Sequence, residues 1–103
     1  SYNGGRVRIH TDLKIDQKDN INNNFEDIVI NSVIQNHHIL TTPKPQILLT
    51  SIENNILNYE VNFWLNVHDV DRRIILSDVN NQILSSLRAH HIPLAIETIR
   101  HIK

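Results

Sequence analysis

The chain has no cysteine and no methionine, and its 103 residues include only two glycines and three prolines. Without cysteine there is neither a disulfide framework nor a thiolate site. The glycines are the adjacent pair Gly4-Gly5, ahead of the first extended segment, so no glycine-rich loop leads into a helix to hold phosphate. No apolar run nears the roughly 20 residues that span a bilayer, and no signal peptide is visible. Excess charge of one sign is also missing. Ten Lys and Arg stand against eleven Asp and Glu, a formal net charge of −1. That argues against a nucleic-acid binder, which usually needs a basic excess, and against the polybasic patch of a membrane-surface binder. A natural reading frame opens with methionine, so residues 1–103 are expected to be a soluble fragment or processed chain, with Ser1 a cloning remnant.

What is present is a globular composition, 40% hydrophobic and 20% charged, of a size for one domain. Val7, Ile9, Leu13 and Ile15 mark a strand from Arg6 to Ile15, with a slip in register expected at the polar Thr11. Asp16 and Asp19 offer N-caps, because a carboxylate accepts orphan backbone N–H groups at the positive end of a helix. Ile21, Phe25, Ile28, Val29, Ser32 and Val33 fall at helical spacing, predicting a helix from Asn20 to Asn36. Pro43 and Pro45 turn the chain into a second strand, Gln46 to Glu53. Asn54-Asn55 suits a tight hairpin, which needs positive φ. Leu57 to Asn66 then alternates: Leu57, Tyr59, Val61, Phe63 and Leu65 inward, Asn58, Glu60, Asn62 and Asn66 outward. Asp69 or Asp71 caps a second helix whose stripe is Ile75, Leu76, Val79, Ile83, Leu84 and Leu87. His90, His91 and Pro93 end it, and Ala95 to Ile102 reads as a last strand.

The order is β-α-β-β-α-β. The expected fold is α+β and ferredoxin-like, an antiparallel four-stranded sheet with two helices on one face. The other face must then be solvated, polar or covered by a partner.

Candidate chemistry is thin. None of the histidines 10, 37, 38, 68, 90, 91 and 101 has the i, i+4 spacing that seats a metal on one helix face. The doublets His37-His38 and His90-His91 suit helix C-termini, where the dipole favours imidazolium. Asp69, Asp71 and Asp78 read as caps and exposed ion pairs beside Arg72 and Arg73 rather than as acid–base groups. Ser85-Ser86 lies mid-helix, without the strained turn of a nucleophile elbow. The expectation is no catalytic residue, no cofactor and no metal. Trp64 is the exception to the polar outer face of its strand. It reads either as a subunit contact or as local packing against Lys or Arg stems.

The order and spacing of these segments carry a resemblance. Pro43-Lys44-Pro45 precedes Ile47-Leu48-Leu49, the alternating strand follows, and then Asp69-Val70-Asp71-Arg72-Arg73. Ser77-Asp78-Val79-Asn80, with Ile83 three positions on, stands where a Ser-Glu-Leu-Asn-like tetrad is found. Ile92-Pro93 stands at the turn before the last strand, with Leu94-Ala95 replacing Phe-Pro, and Ile99 to Lys103 looks like a closing strand. Arg6 to Ile15 followed by Asp16 to Asp19 resembles a first strand and its acidic entry into a helix. Together these resemble the C-terminal cytoplasmic domain of the small-conductance mechanosensitive channel (MscS) family. The resemblance implies a structural and assembly domain of the vestibule below a tension-gated pore that relieves osmotic stress. The partner would be the chain itself, in a homo-oligomer, a heptamer in well-known members. The parent would be a longer membrane protein of the bacterial inner membrane, with this domain on its cytoplasmic side, touching neither lipid nor nucleic acid. The expected subunit contacts are Trp64 and, on the last strand, Ile99 and Ile102. The competing reading is a ferredoxin-like ligand-binding or regulatory module of a soluble protein, since the fold hosts many functions.

Overall fold

The computed structural model describes residues 5–20, 24–68 and 71–95. Three antiparallel strands, β1 (Arg6–Asp16), β2 (Gln46–Glu53) and β3 (Ile56–Asn66), form a sheet of order β1-β3-β2. Helices α1 (Phe25–Val33) and α2 (Arg72–Ala89) pack against one of its faces, α1 over β2 and α2 over β1. The architecture is α+β. Of the expected fourth strand only Ala95 is described. Its N–H donates to the Lys14 carbonyl at 2.8 Å, on the β1 edge where a ferredoxin-like sheet would place that strand; the remainder lies outside the described residues.

The register explains the core. β1 and β3 pair without interruption from Arg6 opposite Asn66 to Asp16 opposite Ile56. Odd-numbered residues of both strands therefore share one face. On β3 that face is Leu57, Tyr59, Val61, Phe63 and Leu65, all buried as the alternation predicts. The slip expected at Thr11 is absent. Thr11 points to the helix side like its odd neighbours, and its Oγ1 donates to Asn80 Oδ1 of α2 at 2.8 Å. A hydroxyl at a core position had mimicked a break in the pattern.

The Asn54-Asn55 hairpin adopts φ of 52° and 66°, the paired positive values a two-residue turn requires. A bulge at Thr50 shifts the β2 register by one and returns Ile52 to the helix side, opposite Leu57.

The first helix is shorter than Asn20 to Asn36. Asp16 caps not α1 but a 3-10 turn, Gln17–Asp19, accepting the Lys18 N–H at 3.0 Å. Asn24 is the N-cap of α1, and Ile21 lies outside the described residues. At the far end Ile34 caps, and Asn36 accepts the His38 N–H on its side chain at 2.9 Å. Such side-chain turns compete with helix and end it. The stripe Phe25, Ile28, Val29, Ser32 and Val33 is buried, and Phe25 meets Tyr59 with ring centroids 4.9 Å apart.

α2 buries Ile75, Val79, Ile83 and Leu87, one residue every four. Asp71 caps it, accepting the Arg73 N–H at 2.9 Å; Asp69 lies outside the described residues. The helix ends with His91 in the left-handed region at φ 58°. The His91 N–H bonds the Arg88 carbonyl at 3.1 Å and the Ile92 N–H bonds the Leu87 carbonyl at 2.9 Å, a Schellman pair. Glycine adopts that φ without the Cβ penalty. His91→Gly is therefore expected to raise stability by up to about 1 kcal/mol, read by urea denaturation.

Candidate subunit interface

The helix-free face carries the even-numbered residues of β1 and β3. On β1 these are Arg6, Arg8, His10, Asp12 and Lys14, all exposed. Trp64 sits among them, opposite Arg8, and is half-buried. Its strand position is held from the other side too, because the Leu40 N–H donates to the Trp64 carbonyl at 2.9 Å. The other two expected contact residues, Ile99 and Ile102, lie outside the described residues.

Asn62 departs from the expected outward exposure. It faces the helix-free side between His10 and Gln46, yet is only 2% exposed, and its Oδ1 has no hydrogen-bond partner. Buried acceptors without a donor are costly and uncommon in native structures.

The sheet also leaves apolar groups in water along β2. Leu49 and Ile52 stand on the helix side, opposite Tyr59 and Leu57, but are 44% and 61% exposed. The reason is length. Nine residues of α1 span about 14 Å at the usual helical rise. Eight residues of β2 run about 27 Å. Leu48, on the opposite face, is also exposed. This patch escaped the sequence reading, which took β2 as an ordinary strand. The signal was there: adjacent Leu48 and Leu49 cannot both face one core, and β2 contains no Lys or Arg to blunt an edge. A fourth apolar residue, Ile74, is 60% exposed on α2, beside the exposed Arg72 and Arg73.

Among the described residues the titratable groups show no reacting constellation. His10 lies 3.6 Å from Asp12, both exposed, a weak pair. His37 and His38 stack in the turn after α1, with ring centroids 4.1 Å apart. His90 is the α2 C-cap and its Nδ1 lies 2.8 Å from the Ser86 carbonyl oxygen. Among the described residues no three His, Asp or Glu side chains converge to hold a metal. Burial, then the nearby Glu26 charge, push the Tyr59 phenol up, while the Asn20 amide donating to its oxygen at 3.3 Å opposes them. Asp16 and Asp19 raise the fully exposed Lys18. Both Tyr59 and Lys18 belong to local structure rather than to chemistry.

No described helix is long and apolar enough to cross a membrane. No curated protein sequence matches the chain. Among solved structures, Helicobacter pylori MscS in its closed state matches with a TM-score of 0.78 and 17% identity, covering 100% of this chain and 40% of that one. Arabidopsis thaliana MSL1 matches with a TM-score of 0.70 and 13% identity, over 94% of this chain and 36% of that one. At such identities these likenesses show a shared fold, and the chain spans well under half the length of either. The family model described as mechanosensitive ion channel MscS, C-terminal, matches residues 9–94, from the middle of β1 to the segment after α2. The chain therefore belongs to the mechanosensitive ion channel MscS family, a non-enzymatic family, and carries its C-terminal domain.

Proposed function

We propose that this domain forms part of the wall of a cytoplasmic vestibule in a tension-gated channel that releases solute under osmotic stress. The carrying observation is the family match over residues 9–94. The fold itself supports it: a single layer of helices on one face of a sheet leaves the other face to meet solvent or a neighbour. In this reading residues 1–103 are one C-terminal domain of a longer membrane protein, on the cytoplasmic side of a bacterial inner membrane. The parent is a homo-oligomer, a seven-membered ring, in which tension acts on membrane helices while this domain holds subunits in register. Trp64 is a contact between subunits, and Ile99 and Ile102 are further contacts. The test is patch-clamp recording from the full reading frame expressed in cells lacking their own tension-gated channels. Pressure-evoked currents that vanish when residues 9–94 are deleted support the reading. A reading frame that gives no tension-dependent current sinks it.

The isolated chain is expected to be monomeric or weakly self-associating. Stable interfaces bury roughly 1,000 Å² or more, and the contacts expected of this domain are a small set of side chains, Trp64 with Ile99 and Ile102. Sedimentation velocity over a concentration series reads this directly. A stable heptamer at low micromolar concentration would show that this domain alone carries the ring.

A further inference from the structure

We infer that the free edge of β2 pairs with the same edge of a second copy, antiparallel and about a two-fold axis, joining the two sheets into one. Such a contact is isologous and closes at two copies. It is therefore separate from the ring contacts proposed above and does not rest on them. β2 ends the strand order β1-β3-β2, so among the described residues no strand lies beyond it. An edge strand presents a row of backbone N–H and C=O groups that a further strand can take up. All of β2 except Ile47 is exposed, including the large apolar Leu48, Leu49 and Ile52. It contains no Lys, Arg or Pro to keep another edge away.

A bulge usually protects an edge as well, yet the one at Thr50 makes this strand match itself. Full overlap of two antiparallel copies sets Gln46 against Glu53, Ile47 against Ile52 and Leu48 against Ser51, with Leu49 and Thr50 meeting at the axis. In an unbulged strand these partners would face opposite sides of the sheet, because they differ by an odd number of positions. The bulge shifts the second half of β2 by one. Ile47, Leu49 and Ile52 then stand on the helix side, opposite Val61, Tyr59 and Leu57 of β3. Gln46, Leu48, Ser51 and Glu53 stand on the other side, opposite Asn62, Glu60, Asn58 and Ile56. Opposed residues outside the bulge therefore share a face. Ile52 of each copy meets Ile47 of the other, and the two Leu49 side chains flank the axis.

The charges at the two ends of the strand agree with this register. Lys44 lies two residues before β2 and Glu53 is its last residue, both exposed. Antiparallel pairing brings each Lys44 diagonal to the other copy's Glu53, within reach of long side chains. The other charges about this edge are Glu60 on β3, Glu26 and Asp27 on α1, and Asp16, Lys18 and Asp19 near the hairpin. Lys18 is already paired with Asp16 and Asp19. The acids on α1 and β3 repeat with like sign on both copies, so Lys44 and Glu53 select the register rather than supply the strength. The strength comes from backbone pairing and from the apolar row.

The chain has no cysteine, so Leu49→Cys places one thiol beside the axis with no background. Under mild oxidation at high protein concentration its symmetric disulfide is expected to form about tenfold faster than that of Ile74→Cys, an exposed apolar site on α2. Circular dichroism melts check that both variants keep the fold. Sedimentation equilibrium of the unaltered chain is expected to show weak association that stops at the dimer. Lys44→Glu or Glu53→Lys alone should weaken that dimer about threefold or more, since each removes two diagonal pairs. A chain carrying both changes should recover it, which neither a folding defect nor general charge attraction would produce. A Leu49→Cys rate no greater than the Ile74→Cys control, monomer at every concentration, species beyond the dimer, or a double variant as weak as the single ones would each overturn the inference. The channel reading is tested by currents alone, so the two fail separately.

Discussion

Replacing Phe63 with alanine is expected to lower the folding free energy by about 3–5 kcal/mol, the usual cost of truncating a buried aromatic to alanine. Phe63 has no solvent exposure and lies on the central strand, opposite Ile9 on β1 and on the same face as Val61 and Leu65. β3 is flanked by β1 and β2 and capped by the helix layer, so little surrounding structure is free to collapse into the void. A loss of that size is a large share of the margin by which domains this small stay folded. Equilibrium denaturation in urea gives the value. A change below about 1 kcal/mol would mean that the side chain is not in the core and that the β3 register is off by one.

A larger effect is expected from Val79→Asp. Val79 is fully buried on α2, one helical turn from Ile75 and Ile83. An aspartate there must either hold an unpaired charge in the core or take up a proton, and an isolated buried charge costs several kcal/mol. The variant is expected to show no cooperative thermal transition at neutral pH. The neighbouring Asp78→Ala provides the contrast. Asp78 is exposed, and such a change usually falls within about 0.5 kcal/mol. Comparable melting curves for the two variants would show that the helix is rotated from the phase described.

How far the sequence carries differs from segment to segment. β3 was legible almost residue by residue because alternation imposes a two-residue period that only a half-buried strand satisfies. The hairpin was legible because two consecutive asparagines tolerate the positive φ the turn demands. The α2 stripe followed from four-residue spacing, and the family resemblance from the order of these same segments. The α1 boundaries were not legible. Asp16, Asp19, Asn20 and Asn24 are all residue types that cap helices; Asp16 is taken by the 3-10 turn, and Asn24 starts α1 with no side-chain hydrogen bond to mark it.

The candidate interface divides in the same way. The sequence by itself determined that the domain has no thiol, no phosphate loop and no metal-ligand spacing, and that Trp64 stands on a polar face. Those are properties of residue type and interval, which survive without coordinates. Only the tertiary structure decided that Thr11 reaches Asn80, that Asn62 is buried with an unpartnered oxygen, and that Leu49 and Ile52 face the helices yet stay in water. Each depends on what another element does in space: where α2 crosses β1, what surrounds the centre of β3, and how far nine residues of α1 extend along β2. Burial is set by the neighbour that arrives or fails to arrive, and a hydrophobic pattern records the demand for a neighbour without saying whether the same chain supplies it.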